Sequence, residues 1–236
     1  MQLQKQTAPP EAFARHEVLA ILAVLTLLAT IIMPALAGSR RSTDGAACAN
    51  NLRQIGHAYQ LWGADHNDDP PYWVPVAQGG VRWDSLAGNA WFQFAAISNQ
   101  LATPRVLACP SDVQKRVARD FGVSADGGFL STGYRNNAVS YWINMHSVRF
   151  YPGKLLCGDR NLRVDYFTGC AIGIYNVAAI RNPSFGSVMW TNNLHGLWGN
   201  LLAYDGQVYA AANYQVLTNA LIPWILDSNG EHLVMP

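Results

Sequence analysis

The chain has 236 residues, a formal net charge of +1 and an isoelectric point near 7.7, so it carries no basic stripe of the kind that holds a nucleic acid, and no nucleic-acid partner is expected. Half of the residues are hydrophobic and only 13% are charged, which argues against disorder and for a turn-rich, half-apolar surface that meets other proteins or envelope polymers. Beyond an apolar N-terminal segment, roughly 200 residues leave room for one sizeable core.

The first predicted element is set by an absence of charge. From Val18 to Ser39 the chain runs 22 residues without one, which predicts a helix over 13–39 long enough to cross the roughly 30 Å hydrocarbon core of a membrane. Glu17 opens this run, directly after Phe13-Ala14-Arg15-His16. A carboxylate in such a segment costs about 2.5–3.5 kcal/mol at mid-membrane and less near an edge, which suggests a task for it. Pro34 predicts a bend. Ala35-Leu36-Ala37 before Gly38 also fits the small-residue cleavage signature of a secretory signal, with Lys5 and Arg15 as its basic region. Basic residues lie on both sides of the run, so loop charge does not orient it.

After residue 40 the pattern changes. Cys48, Leu52, Ile55, Tyr59 and Trp62 recur at spacings of four, three, four and three, one face of an amphipathic helix, while Asn50, Asn51, Arg53, Gln54 and His57 face away. This predicts a continuation of the helix over 40–63, with Gly45 as a point where it can break, followed by a head over 64–236. Asp65-His66-Asn67-Asp68-Asp69 imitates the start of a calcium loop, but Pro70 takes the place of the required Gly and Val76 that of the bidentate Glu, so a solvated turn ending the helix is expected. Cys109-Pro110-Ser111-Asp112 has Pro at the second position of a type I turn. Asp205-Gly206, between the β-prone flanks Leu201–Tyr204 and Gln207–Ala210, predicts a hairpin on a two-residue turn. His195 precedes it, placed either to hydrogen-bond a loop backbone or to help bind a metal with Asp159 or Asp205.

The four cysteines, Cys48, Cys109, Cys157 and Cys170, are an even set with three possible pairings. Cys157 and Cys170 are the nearest in sequence, and a bridge between them would contribute on the order of 3 kcal/mol; four buried thiols are the alternative. None forms a C-x-x-C, so no metal ligands are assigned, and no cofactor is expected. No nucleophile elbow, H-E-x-x-H, phosphate loop or dinucleotide fingerprint occurs, so no catalytic residue is assigned. The eight Trp residues suit core and interface anchors better than a sugar platform.

Taken together, a short polar leader ending at Ala12, then Phe13, Glu17 four residues later, an apolar run and Pro34 resemble the N-terminus of type IV pilins and of the pseudopilins of type II secretion. Ala12 stands where that family usually has Gly. Further along, Cys48-Ala-Asn-Asn-Leu-Arg-Gln-Ile-Gly, Cys109-Pro110-Ser111-Asp112, Gly158-Asp159-Arg160-Asn161, and His195 followed after nine residues by Asp205-Gly206, resemble a bacterial branch of prepilin-like chains carrying a His-x9-Asp-Gly motif.

The resemblance implies an α+β, pilin-like fold, a long N-terminal transmembrane and amphipathic helix packed on an antiparallel β-sheet head. It implies removal of residues 1–12 by a prepilin peptidase, N-methylation of Phe13, and assembly through Glu17 with other pilin-like subunits, with Pro34 as the helix kink and His195, Asp205 and Gly206 as a structural motif. Its implied setting is the inner membrane, in contact with lipid, with the head outside the cytoplasm. A membrane-tethered module binding glycan or envelope polymer is the alternative, and an envelope hydrolase a third.

Overall fold

The computed structural model describes residues 15–146, 153–164, 177–180, 188–211 and 231–236, and the chain divides into two compact units, Met1–Ser42 and Thr43–Pro236. Helix α1, Arg15–Ala64, carries helical backbone through Pro34 and Gly45 without a break, so the two elements expected over 13–39 and 40–63 are one helix.

The transmembrane part of the expected fold class is corrected here. Among the described residues no helix is long and apolar enough to cross a membrane. The observed fold class is α+β with an antiparallel sheet.

In the second unit the predicted apolar face of α1 is buried: Cys48, Leu52, Ile55, Ala58, Tyr59 and Trp62 all enter the main core. The helix ends where the acidic stretch begins. Gly63 O accepts from both His66 N and Asp68 N, and Asn67 and Asp68 adopt positive φ, as short polar side chains tolerate. His66 stacks on Trp62 with ring centroids 3.6 Å apart, so the acidic stretch is a turn that caps the helix.

Between α1 and the sheet the described chain contains short helical pieces, among them α2 (Ala90–Ala95), α3 (Ser98–Leu101) and a 3-10 turn over Pro104–Leu107. The strands are β1 (Tyr141–Asn144), β2 (Leu155–Asp159), β3 (Leu162–Val164), β4 (Val177–Ile180), β5 (Val188–Trp190), β6 (Gly199–Ala203), β7 (Val208–Ala211) and β8 (Glu231–Val234). Six pair antiparallel in the order β4-β8-β1-β2-β6-β7, and β3 pairs with β5 apart from them.

Strands β1, β2 and β6 are buried along their whole length, because apolar layers cover both faces of the sheet. Alternation sorts the side chains: Tyr141 and Ile143 join the core under α1, while Trp142 joins a second cluster with Leu155, Leu162, Val188, Trp190 and Leu201. A bulge between Leu155 and Cys157 lets the consecutive Leu156 and Cys157 face the same core. Gly158 is the residue this packing requires, since a Cβ there would stand 2.5 Å from the Trp142 ring.

The hairpin joins β6 to β7 through residues 204–207, and inside the Ala203–Gln207 hydrogen bond three residues, Tyr204, Asp205 and Gly206, make the turn instead of the two expected. Gly206 N donates to Ala203 O, Ala203 N donates to Gln207 O, and Gly206 has φ +87°, the arrangement of a type I turn closed by a left-handed glycine. Tyr204 Oη donates to Asp68 O at 2.8 Å, tying this turn to the end of α1.

Candidate functional site

Four sequence motifs converge on one buried polar cluster in the second unit. Cys48, on the buried face of α1, is bonded to Cys109 in the Cys-Pro-Ser-Asp turn, which is closed by Asp112 N donating to Cys109 O. Of the three possible pairings this is the one that joins Cys48 to Cys109; Cys157 is a free, buried thiol, pushed up from its ordinary pKa by burial and by nearby Asp159, and Cys170 lies outside the described residues.

His195 sits on the loop between β5 and β6. Its Nε2 lies 3.4 Å from Cys109 Sγ and 3.4 Å from Asp159 Oδ2, its Nδ1 lies 3.3 Å from Ser111 Oγ, and its ring leans on Trp198. A disulfide sulfur can only accept, so a hydrogen on Nε2 points toward the sulfur and the carboxylate, leaving Nδ1 to accept from the Ser111 hydroxyl. His195 thus contacts side chains, not the loop backbone expected from sequence.

Three residues of Gly158-Asp159-Arg160-Asn161 serve this arrangement, Asp159, Arg160 and Asn161. Asp159 Oδ2 accepts from both the backbone and the side chain of Asn200, at 2.7 and 3.0 Å, while its Oδ1 is buried without a partner. Burial pushes the Asp159 carboxyl up to about 7, against the pull of the Asn200 hydrogen bonds. Burial also holds His195 below its ordinary value, against Asp44 and Asp112, so in both groups desolvation works against the charged form.

Arg160 grips Asp112 with two bonds of 2.6 Å, and Ser140 Oγ donates to the same carboxylate. Burial alone would raise Asp112, but the Arg160 guanidinium and the Ser140 hydroxyl outweigh it and hold the carboxyl below its ordinary range. Asn161 Nδ2 donates to the carbonyls of Thr191, Gly196 and Trp198, clipping the loop that carries His195.

The helix is fastened to the same cluster. Asn200 Nδ2 also reaches Gly45 O, and a Cβ on Gly45 would stand 2.5 Å from the Trp198 ring, so this glycine lets the indole approach the helix backbone.

The His-x9-Asp-Gly motif ends in two different places. His195 belongs to the buried cluster, whereas Asp205 Oδ1 accepts from Gln207 N in the exposed hairpin turn. Gly206 packs against α1, its Cα 3.6 Å from where a Cβ on Gly56 would lie. Of the residues expected to act at the N-terminus, Ala12 and Phe13 lie outside the described residues and Glu17 occupies the first turn of α1. Ser111, Arg160 and Asn161 were visible only as letters of motifs, and Asn200 gave no signal at all.

A second feature lies on the surface of the same unit. The Arg82 guanidinium lies over the rings of Trp73 and Trp83, 5.7 and 4.2 Å from their centroids, with both indoles exposed and Trp83 at φ +64°.

No family model matches the chain, and no curated protein or solved structure gives a significant match.

Proposed function

We propose that the chain is a pilin-like subunit that joins or primes a fibre, with the first part of α1 as its assembly element and the second unit as the head it displays. The observation that carries this reading is the surface of that helix. Leu19, Leu27, Ile31 and Met33 are 66, 63, 63 and 69% exposed, and large apolar side chains stay exposed all along Val18–Met33. A helix apolar all round is stable only when other apolar surface covers it, and helices of neighbouring subunits supply that cover in a fibre.

Glu17, in the first turn of α1, is the acidic residue of this surface. Removal of residues 1–12 by a prepilin peptidase would create a cationic α-amine on Phe13, and pairing of one subunit's Glu17 with its neighbour's Phe13 amine would set the register between helices. The resemblance of the sequence also supports methylation of that amine.

The test is twofold. Mass spectrometry of the purified chain should give a mature start at a methylated Phe13; a start at Gly38 would replace this reading with secretion. Glu17→Ala and Glu17→Gln should leave the head folded while reducing the fibre or crosslinked-oligomer fraction severalfold.

The Trp73-Arg82-Trp83 surface favours a second reading, a tethered module that binds glycan or envelope polymer through stacked indoles. Normal assembly by both Glu17 variants would hand the account to it.

A further inference from the structure

We infer that the Cys48–Cys109 bridge is one of two forms of a metal site, and that the reduced chain binds a single zinc-type divalent ion through Cys48 Sγ, Cys109 Sγ, His195 Nε2 and Asp159 Oδ2. The two sulfurs and a ring nitrogen of His195 lie within 4.8 Å of one another, all on buried residues. Two distances from His195 Nε2 already match edges of a tetrahedral zinc site, whereas the bonded sulfurs must part on reduction and Asp159 stands outside that group of three. Bonds of about 2.3 Å to sulfur and 2.0–2.1 Å to nitrogen and oxygen give donor-to-donor edges of about 3.5 Å (S to N) and 3.3 Å (N to O). The observed Nε2–Cys109 Sγ and Nε2–Asp159 Oδ2 distances are both 3.4 Å.

Outer contacts of the kind a metal site needs surround these donors. Ser111 Oγ stands 3.3 Å from His195 Nδ1, ready to accept its hydrogen once Nε2 is given to the ion. Asn200 holds Asp159 through two hydrogen bonds, and Asn161 holds the loop of His195 through three. Two thiolates, one imidazole and one carboxylate in a compact site select zinc over magnesium or calcium. A pocket of about 390 Å³ lined by Asn51, Cys109, Pro110 and Asp112 opens beside Cys109.

The conversion balances with a dithiol reductant. Its two S–H groups give up two electrons and two protons and close to a disulfide, while the Cys48–Cys109 bond breaks to two thiols. Binding the ion then forms two sulfur–metal bonds and one bond each to His195 Nε2 and Asp159 Oδ2, and releases to solvent the two thiol protons and any proton held by the Asp159 carboxyl. The bridge and the ion exclude each other, so the redox state of this pair decides whether the head carries metal.

The experiment uses the full chain carrying Cys157→Ala and Cys170→Ala, reduced with dithiothreitol, desalted without oxygen and titrated with Co2+. One Co2+ per chain should bind, with thiolate-to-cobalt charge-transfer absorption and visible bands of tetrahedral cobalt, both removed by one equivalent of Zn2+. The unreduced protein should show neither. Ser111→Ala, which keeps all four donors, should weaken Zn2+ binding about tenfold, and His195→Ala at least tenfold. No charge-transfer band in the reduced chain overturns the proposal, as does an affinity unchanged in both variants. A near-ultraviolet circular dichroism signal lost on reduction and not restored by Zn2+ overturns it as well.

Discussion

Leu52 and Leu27 lie on the same helix, yet Leu52 is fully buried and Leu27 is 63% exposed. Around Leu52 the chain completes its own packing: the helix face meets Phe94, Tyr141 and Leu156 in one core, a disulfide fixes Cys48, and the helix end is capped by its own turn. Around Leu27 the chain supplies one surface and no cover. Helical backbone alone is therefore uninformative about role; where the apolar area goes separates a folding element from an assembly element.

The largest effect should come from the cluster that seats the buried half. Arg160→Ala strands the buried Asp112 carboxylate and should lower head stability by about 3–5 kcal/mol, read by chemical denaturation. The pH dependence follows from the same pair. Asp112 sits below its ordinary value in the folded head, so its contribution is complete above that value and is lost as pH falls below about 4. Asp112→Asn should start from a lower melting temperature and flatten the acid limb of the stability curve; an unchanged acid limb would remove this pair from the account.

Next in size is the direct contrast between the two leucines. Leu52→Ala should cost about 2–5 kcal/mol through lost burial and a cavity, whereas Leu27→Ala should shift head stability by no more than about 0.5 kcal/mol and act on oligomer formation instead. Equal effects of the two on head unfolding would erase the distinction between the halves. The smallest expected effect is Gly206→Ala, about 1–2 kcal/mol by thermal melting, because the new side chain must take a left-handed φ and crowd Gln60.

The buried half of α1 was legible because a single helical face needs only local spacing: all five residues from Cys48 to Trp62 chosen by period are buried. The hairpin was legible from Asp-Gly between β-prone flanks, but its length was not, because only the partner strand decides whether Ala203 or Tyr204 closes the turn. Sequence left three disulfide pairings open, and only the fold chooses: Cys48 and Cys109 are 61 residues apart and meet because α1 lies on the core beside the Cys-Pro-Ser-Asp turn. The candidate cluster was illegible for the same reason, since Asn200 to Gly45 and His195 to Cys109 are contacts of high sequence separation that no local pattern encodes. The apolar run overstated what the helix offers. Among the described residues no helix is long and apolar enough to cross a membrane.

The two fastenings of α1 set a schedule for synthesis. Gly45 is held by Asn200 and the Asp68 carbonyl by Tyr204, partners 155 and 136 residues later in the chain. A ribosome delivering about 5–20 residues each second needs on the order of ten seconds to make the rest of that span. During that interval the face of Leu52, Ile55 and Tyr59 has been made and its sheet has not. The segment meant to close the core is thus the one that waits longest for it, and a chain arrested before β6 would present two apolar helix halves instead of one.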